Sequence, residues 1–583
     1  MVARDGLWWL ALLALVPWAL ACSRPGRRAF AVEWLAAAVG ISASCFWSTY
    51  VIWITLIAVA LVPATYMAIA GVLLRRLARS WPLAIAVPCA WISLETLRAV
   101  VEPPFGFGWL RLGHHAASVP WLAGSARVWG TAGVGFALAA AAGGIADVWR
   151  ARRAKTPLER PRLVAIAATA PLLATVVFAL ATSAPATVAG PRVLLVQPSF
   201  EQERKMARQT GDEMLHDALE LTRRGLDEAR RANEPVDVVA WGETMMPFSF
   251  AAPDVIEAWD RGVRPAPWGA FPIERRDLVR FHEAEDVIVR GILYGRAGGR
   301  AILPTGTVFV SGVEHYAVVD GLVRRQNAIV AWDANGVRTG LAGKVHLVPG
   351  AEHLAGLERV GWVRSTARQL AGYVPDLVDF DRAVVLTVRT RGDRTWRVGA
   401  TVCFDNAFEG PYLTPLREGD VDFHLVASNE AWYRESWEYD HMIAFSRMVA
   451  IESGRSIVRA TNAGISCILG PDGAEVARLE VGGRDRMVPG TLRAIVPVPR
   501  RDALAATEVG AGGGAASPSS ESPGGGAGPV AGDRALPTAP GTGPETAPRP
   551  IYVATQPYWT ALWILSGFVL AGFVRRRPVT EAR

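Results

Sequence analysis

Charge is scarce in this chain. Of 583 residues only 20% are Asp, Glu, Lys or Arg, while 51% are hydrophobic, and the mean hydropathy is +0.21. So apolar a chain is not disordered, and so few charges do not suit a wholly soluble enzyme of this length; part of its surface belongs in lipid. At this length two or more folding units are expected. Cysteine is scarcer still. The five (Cys22, Cys45, Cys89, Cys403, Cys467) include three in apolar runs, which excludes a disulfide scaffold. Clustered metal ligands are missing as well. His346, Glu352 and His353 stand close together, but their spacing fits no helix-borne zinc motif, so no metal is expected. Also absent is the basic stripe of a nucleic-acid binder. The formal charge of +7 sits in clusters between apolar runs: Arg24, Arg27 and Arg28; Arg75, Arg76 and Arg79; Arg150 to Arg162; and Arg575 to Arg577. Such a pattern is loop charge on one side of a membrane, and no nucleic-acid partner is expected.

Apolar stretches lie near 6–22, 30–47, 50–73, 81–101, 121–147 and 163–183, and a seventh covers 557–574. Most approach the roughly 20 residues that cross a bilayer as helix. With the basic loops placed in the cytoplasm, 102–120 faces outward, and so does everything from 184 to 556. Residues 1–22 also read as a lipoprotein signal ending ALAC at Cys22. The balanced charge of MVARDG and Ala19 three residues before that cysteine argue against cleavage. Glu95 and Arg98, three apart near the outer end of the fourth span, read as a mutual pair.

Between 191 and 500 the pattern changes. The runs RVLLVQ (192–197), VDVVAW (236–241), VIVRGIL (287–293), WRVGATVCF (396–404), FHLVASN (423–429) and RSIVRATN (455–462) are β-rich. A helical pattern occupies 211–232, and ISCILG-PDG-AEVARLE reads as a hairpin. An α/β or α+β domain of about 300 residues is expected. Residues 505–550 are Gly, Ala, Pro, Ser and Thr, a composition that reads as a flexible tether. Gly510, Gly512 and Ala515 match a dinucleotide pattern there, without the strand and helix such a site needs.

Three strand-end motifs carry the chemistry. WGET places Glu243 after one strand, GKVHLVPGAEH supplies Lys344 and Glu352, and TVCFD ends a strand at Cys403. A carboxylate, an ammonium and a thiol divide the work of acyl transfer as base, oxyanion stabiliser and nucleophile. Cys467, inside ISCILG, reads as core. His424 and His441 read as structural rather than as partners of a Cys–His pair.

The order of these motifs resembles the Glu-Lys-Cys triad of the nitrilase superfamily. With the flanking spans, EPPFGFGWLRLG (102–113) and SNEAWY, the whole chain looks like the bacterial apolipoprotein N-acyltransferase family. The resemblance implies a four-layer α-β-β-α sandwich hung on a membrane-helix bundle, with a C-terminal membrane helix. The corresponding division is 1–184 for the helices, 190–500 for the catalytic domain, 501–555 for the linker and 556–575 for the last span. It also implies Cys403 as nucleophile, Glu243 as base, Lys344 as stabiliser and Glu352 as an added carboxylate, with Phe404, Asp405 and Trp432 beside them. The implied reaction is ping-pong. A phospholipid acylates Cys403, and the N-terminal amine of a diacylglyceryl apolipoprotein takes the chain, with no cofactor. The implied place is the bacterial inner membrane with the catalytic domain in the periplasm.

The chain departs from the family pattern where Phe404-Asp405 replaces the usual Tyr-Glu after the nucleophile, and Glu430 and Tyr433 stand in the Asn-Asp-Ala-Trp-Phe stretch. One N-terminal span of the usual eight is missing. A membrane-anchored amidase with water as acceptor, and a catalytically impaired lipoprotein-handling homologue, remain open. Oligomeric state is not readable from the sequence.

Overall fold

The computed structural model describes residues 7–24, 26–51, 53, 55–207, 210–269, 273–296, 298–501 and 547–574. Residues 505–546 of the expected tether, the Gly510–Ala515 match and the basic tail from Arg575 lie outside the described residues.

The first part is helical: α1 (Ala11–Cys22), α2 (Ala29–Ser44), α3 (Thr55–Leu77), α4 (Leu83–Val100), the single turn α5 (Pro120–Ala123), α6 (Ala126–Ala154) and α7 (Pro161–Ala181). Among the described residues, α3, α4, α6 and α7 are long and apolar enough to cross a membrane, while α1 and α2 are shorter apolar helices. Small residues let these helices approach closely. Ala86, Ala90, Ala139, Ala142 and Ala146 are all buried where α4 meets α6.

The second part contains two sheets. In chain order its elements are β1 (Thr187–Gln197), α8 (Gln202–Met206), α9 (Gly211–Arg231), β2 (Val238–Trp241), β3 (Phe250–Ala251), α10 (Pro253–Asp260), α11 (Arg275–Glu285), β4 (Val308–Val319), β5 (Leu322–Trp332) and β6 (Arg338–Gly343). There follow α12 (Gly361–Ala371), β7 (Val385–Arg389), β8 (Thr395–Val402), α13 (Gly410–Glu418), β9 (Phe423–Ser428), α14 (Glu438–Ser453), β10 (Ser456–Thr461), β11 (Cys467–Leu469), β12 (Glu475–Arg478) and β13 (Gly490–Pro499). The chain closes with α15 (Ile551–Gly572).

One sheet runs β13-β1-β2-β4-β5-β6, with β3 beside β4. The other runs β12-β11-β10-β9-β8-β7. Strand alternation sends Val193 and Leu195 to one face and Leu194 and Val196 to the other. The first pair packs against Val398, Ala400, Leu425 and Val458 of the second sheet. The second pair packs under Met214, Leu215, Ala218 and Leu226 of α9. Beyond the second sheet, Val426 and Ile457 meet Tyr439, Ile443 and Val449 of α14. The layers are therefore α-β-β-α, and each aliphatic side chain so enclosed contributes about 1.5–3 kcal/mol.

One expected β-rich run differs. VIVRGIL continues from α11 as a wide helical turn over Asp286–Leu293. Its β-branched residues gave a strand signal, but Ile288, Val289 and Leu293 are placed in the α9-side core by the helix running into them. The hairpin at Pro471-Asp472-Gly473 forms as expected, with Cys467 opposite Arg478. A longer hairpin, β4–β5, turns at Asp320-Gly321, both with positive φ.

The α14 helix lies on the bundle, where Met448 and Ile451 join the core of the membrane helices. The last helix, α15, packs against α4. Ser93 Oγ donates to the Trp563 carbonyl (3.0 Å) and accepts from Gly567 N–H (2.9 Å). At the other end of α15, Arg76 Nε reaches the Ala571 carbonyl at 2.8 Å.

Candidate active site

The three strand-end residues converge. Glu243 follows β2 and Cys403 follows β8, both beyond the carboxyl ends of strands that pair in parallel with a neighbour. Lys344 follows β6. All three are buried, at 5%, 1% and 4% exposure for Glu243, Lys344 and Cys403.

Their presentation depends on unusual backbone. Cys403 has φ +47°, as does Thr244 directly after Glu243. A non-glycine residue there costs on the order of 1–3 kcal/mol, a cost that clusters at functional sites. At the end of β8 this kink breaks strand alternation and turns the thiol out of the sheet. The Glu243 turn lies against Gly312, where a Cβ would fall 2.6 Å from the Glu243 Cα.

Lys344 Nζ donates to Glu352 Oε1 at 2.8 Å and to Glu243 Oε1 at 3.4 Å. Asn327, on β5, bridges the same two carboxylates. Its Nδ2 donates to Glu243 Oε1 at 2.7 Å and to Glu352 Oε1 at 3.3 Å. Glu352 Oε2 accepts the Val348 N–H at 2.7 Å. Glu243 Oε2 is buried and accepts no hydrogen bond from the described residues. The carboxylate thus has one oxygen held and one available.

Burial would push the Lys344 ammonium to lose its proton, but the charges of Glu352 and Glu243 outweigh it and hold the amine protonated. The Cys403 thiol is pushed up well above its ordinary value, by burial first and by Glu243 next, with Lys344 opposing. The resting sulfur is a thiol, so a nearby base has to take its proton as it attacks.

Phe404 and Asp405 have different surroundings. Asp405 is fully buried and binds the lysine loop to the nucleophile turn. Phe404 stacks on Trp109 of the outward loop, ring centres 5.1 Å apart, and Trp109 stacks on Phe107 at 5.5 Å. Gly108 allows this approach, because a Cβ there would lie 2.3 Å from the Ala407 carbonyl oxygen. Trp432 packs half-buried against the same aromatic cluster, and neighbouring Tyr433 meets Trp47 edge-on at 4.8 Å. One buried apolar cluster thus runs from α2 and α3 to the residue beside Cys403.

One further expectation resolves differently. Glu95 and Arg98 form no ion pair: Glu95 Oε2 accepts from Trp91 Nε1 and Leu112 N–H, both at 2.9 Å. The Arg98 guanidinium instead lies over the Phe107 ring at 5.6 Å. The loop after α4 folds back and offers Glu95 a main-chain donor that helical spacing could not foresee. His424 pairs in register with Gly399, in the middle of β8 and four residues before Cys403. His441 is buried beside Phe445. Cys467 is fully buried in the core beneath α14. Sequence reasoning missed Asn327 and Lys205. Lys205 Nζ donates to the Glu243 carbonyl at 3.1 Å and to Thr244 Oγ1 at 3.0 Å. Neither residue sits in a motif, because each reaches the site from another element.

Residues 2–144 match the family model described as the apolipoprotein N-acyltransferase N-terminal domain, and residues 304–485 match that of carbon-nitrogen hydrolase. Apolipoprotein N-acyltransferases of Sinorhizobium medicae and Ralstonia nicotianae align at 25% and 27% identity. These alignments cover 86% and 82% of this chain and 80% and 82% of the relatives. Over both of its parts the chain is similar to apolipoprotein N-acyltransferases. The two family models fall on the two parts of the architecture, the helical bundle and the α-β-β-α sandwich. The relative from Chlorobaculum tepidum aligns at 25% identity, over 66% of each chain, just under two thirds of its length. An amidase from Nesterenkonia sp. covers 54% of this chain and 94% of its own at 15% identity, with a TM-score of 0.32. The carbon-nitrogen hydrolase match includes Lys344 and Cys403 and begins after Glu243.

Proposed function

We propose that this protein transfers an acyl chain from a phospholipid, through a thioester on Cys403, to the N-terminal amine of a diacylglyceryl apolipoprotein. The observation that carries this reading is the Lys344 ammonium held between Glu352 and Glu243, with their charges acting on a buried thiol.

In the first half-reaction Cys403 Sγ attacks the ester carbonyl carbon while a Glu243 oxygen takes the thiol proton. Lys344 stabilises the oxyanion as it develops. The carbon–oxygen bond then breaks, and the proton passes from Glu243 to the departing glycerol oxygen, releasing lysophospholipid. In the second, the apolipoprotein amine attacks the thioester and Glu243 takes its proton. The carbon–sulfur bond breaks, an amide forms, and the proton returns to the sulfur. Glu352 and Asn327 hold Lys344 and Glu243 in place. Phe404, Trp109 and Phe107 line the acyl path, and Asp405 fixes the nucleophile turn.

Both substrates carry lipid tails, and exposing a tail to water costs about 0.8 kcal/mol per CH₂. That cost is the reason for a catalytic domain seated on membrane helices. Residues 1–184 serve as the membrane unit and 190–500 as the catalytic domain; the expected linker, 501–555, gives way at Ile551 to α15, which serves as the last span. The basic loops face the cytoplasm of a bacterial inner membrane, and the catalytic domain faces the periplasm. The test is reconstitution with phospholipid and a diacylglyceryl-cysteine peptide. The peptide should gain the mass of one acyl chain with the parent and none with Cys403→Ala. Release of free fatty acid without peptide acylation would favour an amidase-like hydrolase.

A further inference from the structure

Lys205 is the second ammonium at this site. It projects from α8, the short helix between β1 and α9, and its Nζ donates to the Glu243 carbonyl (3.1 Å) and to the Thr244 hydroxyl (3.0 Å). Thr244 holds a positive φ, so these two hydrogen bonds fall on the strained turn that aims the Glu243 carboxylate. No carboxylate of the described residues forms an ion pair with Lys205, in contrast to Lys344.

We infer that Lys205 is a positioning residue for acyl transfer: it clamps the Glu243 turn and supplies the positive charge that offsets the second carboxylate of the site. The inference rests on the Glu243-Lys344-Cys403 reading and goes beyond it. With Lys344 alone, two carboxylates, Glu243 and Glu352, would face one cation, and forming a thiolate would add further negative charge. Lys205 restores the balance.

The charged groups around it agree with that role. Burial pushes the Lys205 amine down to about 8, and the charges of Glu243 and Cys403 oppose that fall. Two neighbouring side chains of α8 are engaged elsewhere: Arg204 with Asp217 at 2.8 Å, and Gln202 with Asn429 at 2.9 Å. The helix is thereby tied to α9 and to the stretch after β9, leaving Lys205 aimed at the Glu243 turn.

The test follows alkylation of Cys403 by iodoacetamide against pH, in the full chain in detergent, with the modified peptide identified by mass. In Lys205→Met the apparent pKa of that reaction should rise by about one unit, making alkylation about tenfold slower at neutral pH. Lys205→Arg keeps the charge and should recover most of the rate. A Lys205→Met protein that reacts at the parent rate and with the parent pH dependence overturns the inference. Equal loss in both variants, with equally lowered melting temperatures, assigns Lys205 to folding alone and also overturns it. A parent whose Cys403 resists alkylation at every pH removes the triad reading, and this inference with it. A parent that reacts beside an unaltered Lys205→Met removes the Lys205 role only.

Discussion

Asp405 holds His346 twice: its Oδ1 accepts the His346 main-chain N–H at 2.8 Å and lies 3.0 Å from the ring Nδ1. Its Oδ2 takes the Val345 and Val402 N–H groups at 3.3 and 3.2 Å. One carboxylate thus joins the loop that carries Lys344 to the turn that carries Cys403. Asp405→Ala should leave several buried N–H groups unpaired and cost about 2–4 kcal/mol. A lowered melting temperature, together with loss of acyl transfer, checks this.

Phe404 is expected to govern the acyl path rather than the proton chemistry. Its ring meets Trp109 at 5.1 Å and Phe408 at 5.4 Å. Phe404→Ala should cost about 3–5 kcal/mol of packing. Among molecules that remain folded, it should raise KM for phospholipid more than it lowers alkylation of Cys403. An unchanged KM would show that the ring does not meet the lipid.

Asn327 shares one amide between two carboxylates. Asn327→Asp would place a third negative charge beside Glu243 and Glu352. It should lower kcat by about 10²-fold, the scale of a disturbed general base, while Asn327→Gln should retain more activity. Steady-state kinetics with the diacylglyceryl peptide decide it.

Stability should depend on pH through Glu452. This α14 residue accepts the Thr131 N–H and hydroxyl of α6, both at 2.6 Å. Burial first, and then the charge of Glu409, push its carboxyl up to about 8 from an ordinary 4.5. The native state therefore holds a proton that the unfolded chain releases. That contribution is complete below about 4.5 and is lost as pH rises through 8. Glu452→Gln should flatten this part of the melting-temperature profile in detergent, and a profile identical to the parent's would exclude the linkage.

The parts of the molecule that the sequence made legible are those whose signal is local. Each apolar stretch is its own evidence for a helix, and β-branched runs ending in Glu243 and Cys403 announce strands that stop at a reactive group. VIVRGIL misled because its β propensity yielded to the helix running into it. Asn327 and Lys205 were invisible for another reason. Asn327 lies inside a strand and Lys205 on a short helix, and only the pairing of β2 with β4 and of β4 with β5, and the packing of α8, bring them to Glu243. The Glu95–Arg98 expectation failed similarly: helical spacing offered a partner, but the loop after α4 offered a better one.

The central claim is that a phospholipid acylates Cys403. Intact-mass detection of a hydroxylamine-sensitive acyl adduct, after mixing the purified protein with labelled phospholipid, addresses it most directly. The account predicts one adduct on the parent, none on Cys403→Ala, and strongly slowed formation in Glu243→Gln and Lys344→Met. A folded parent that alkylates at Cys403 yet forms no adduct, or an adduct that survives in Cys403→Ala, would contradict it.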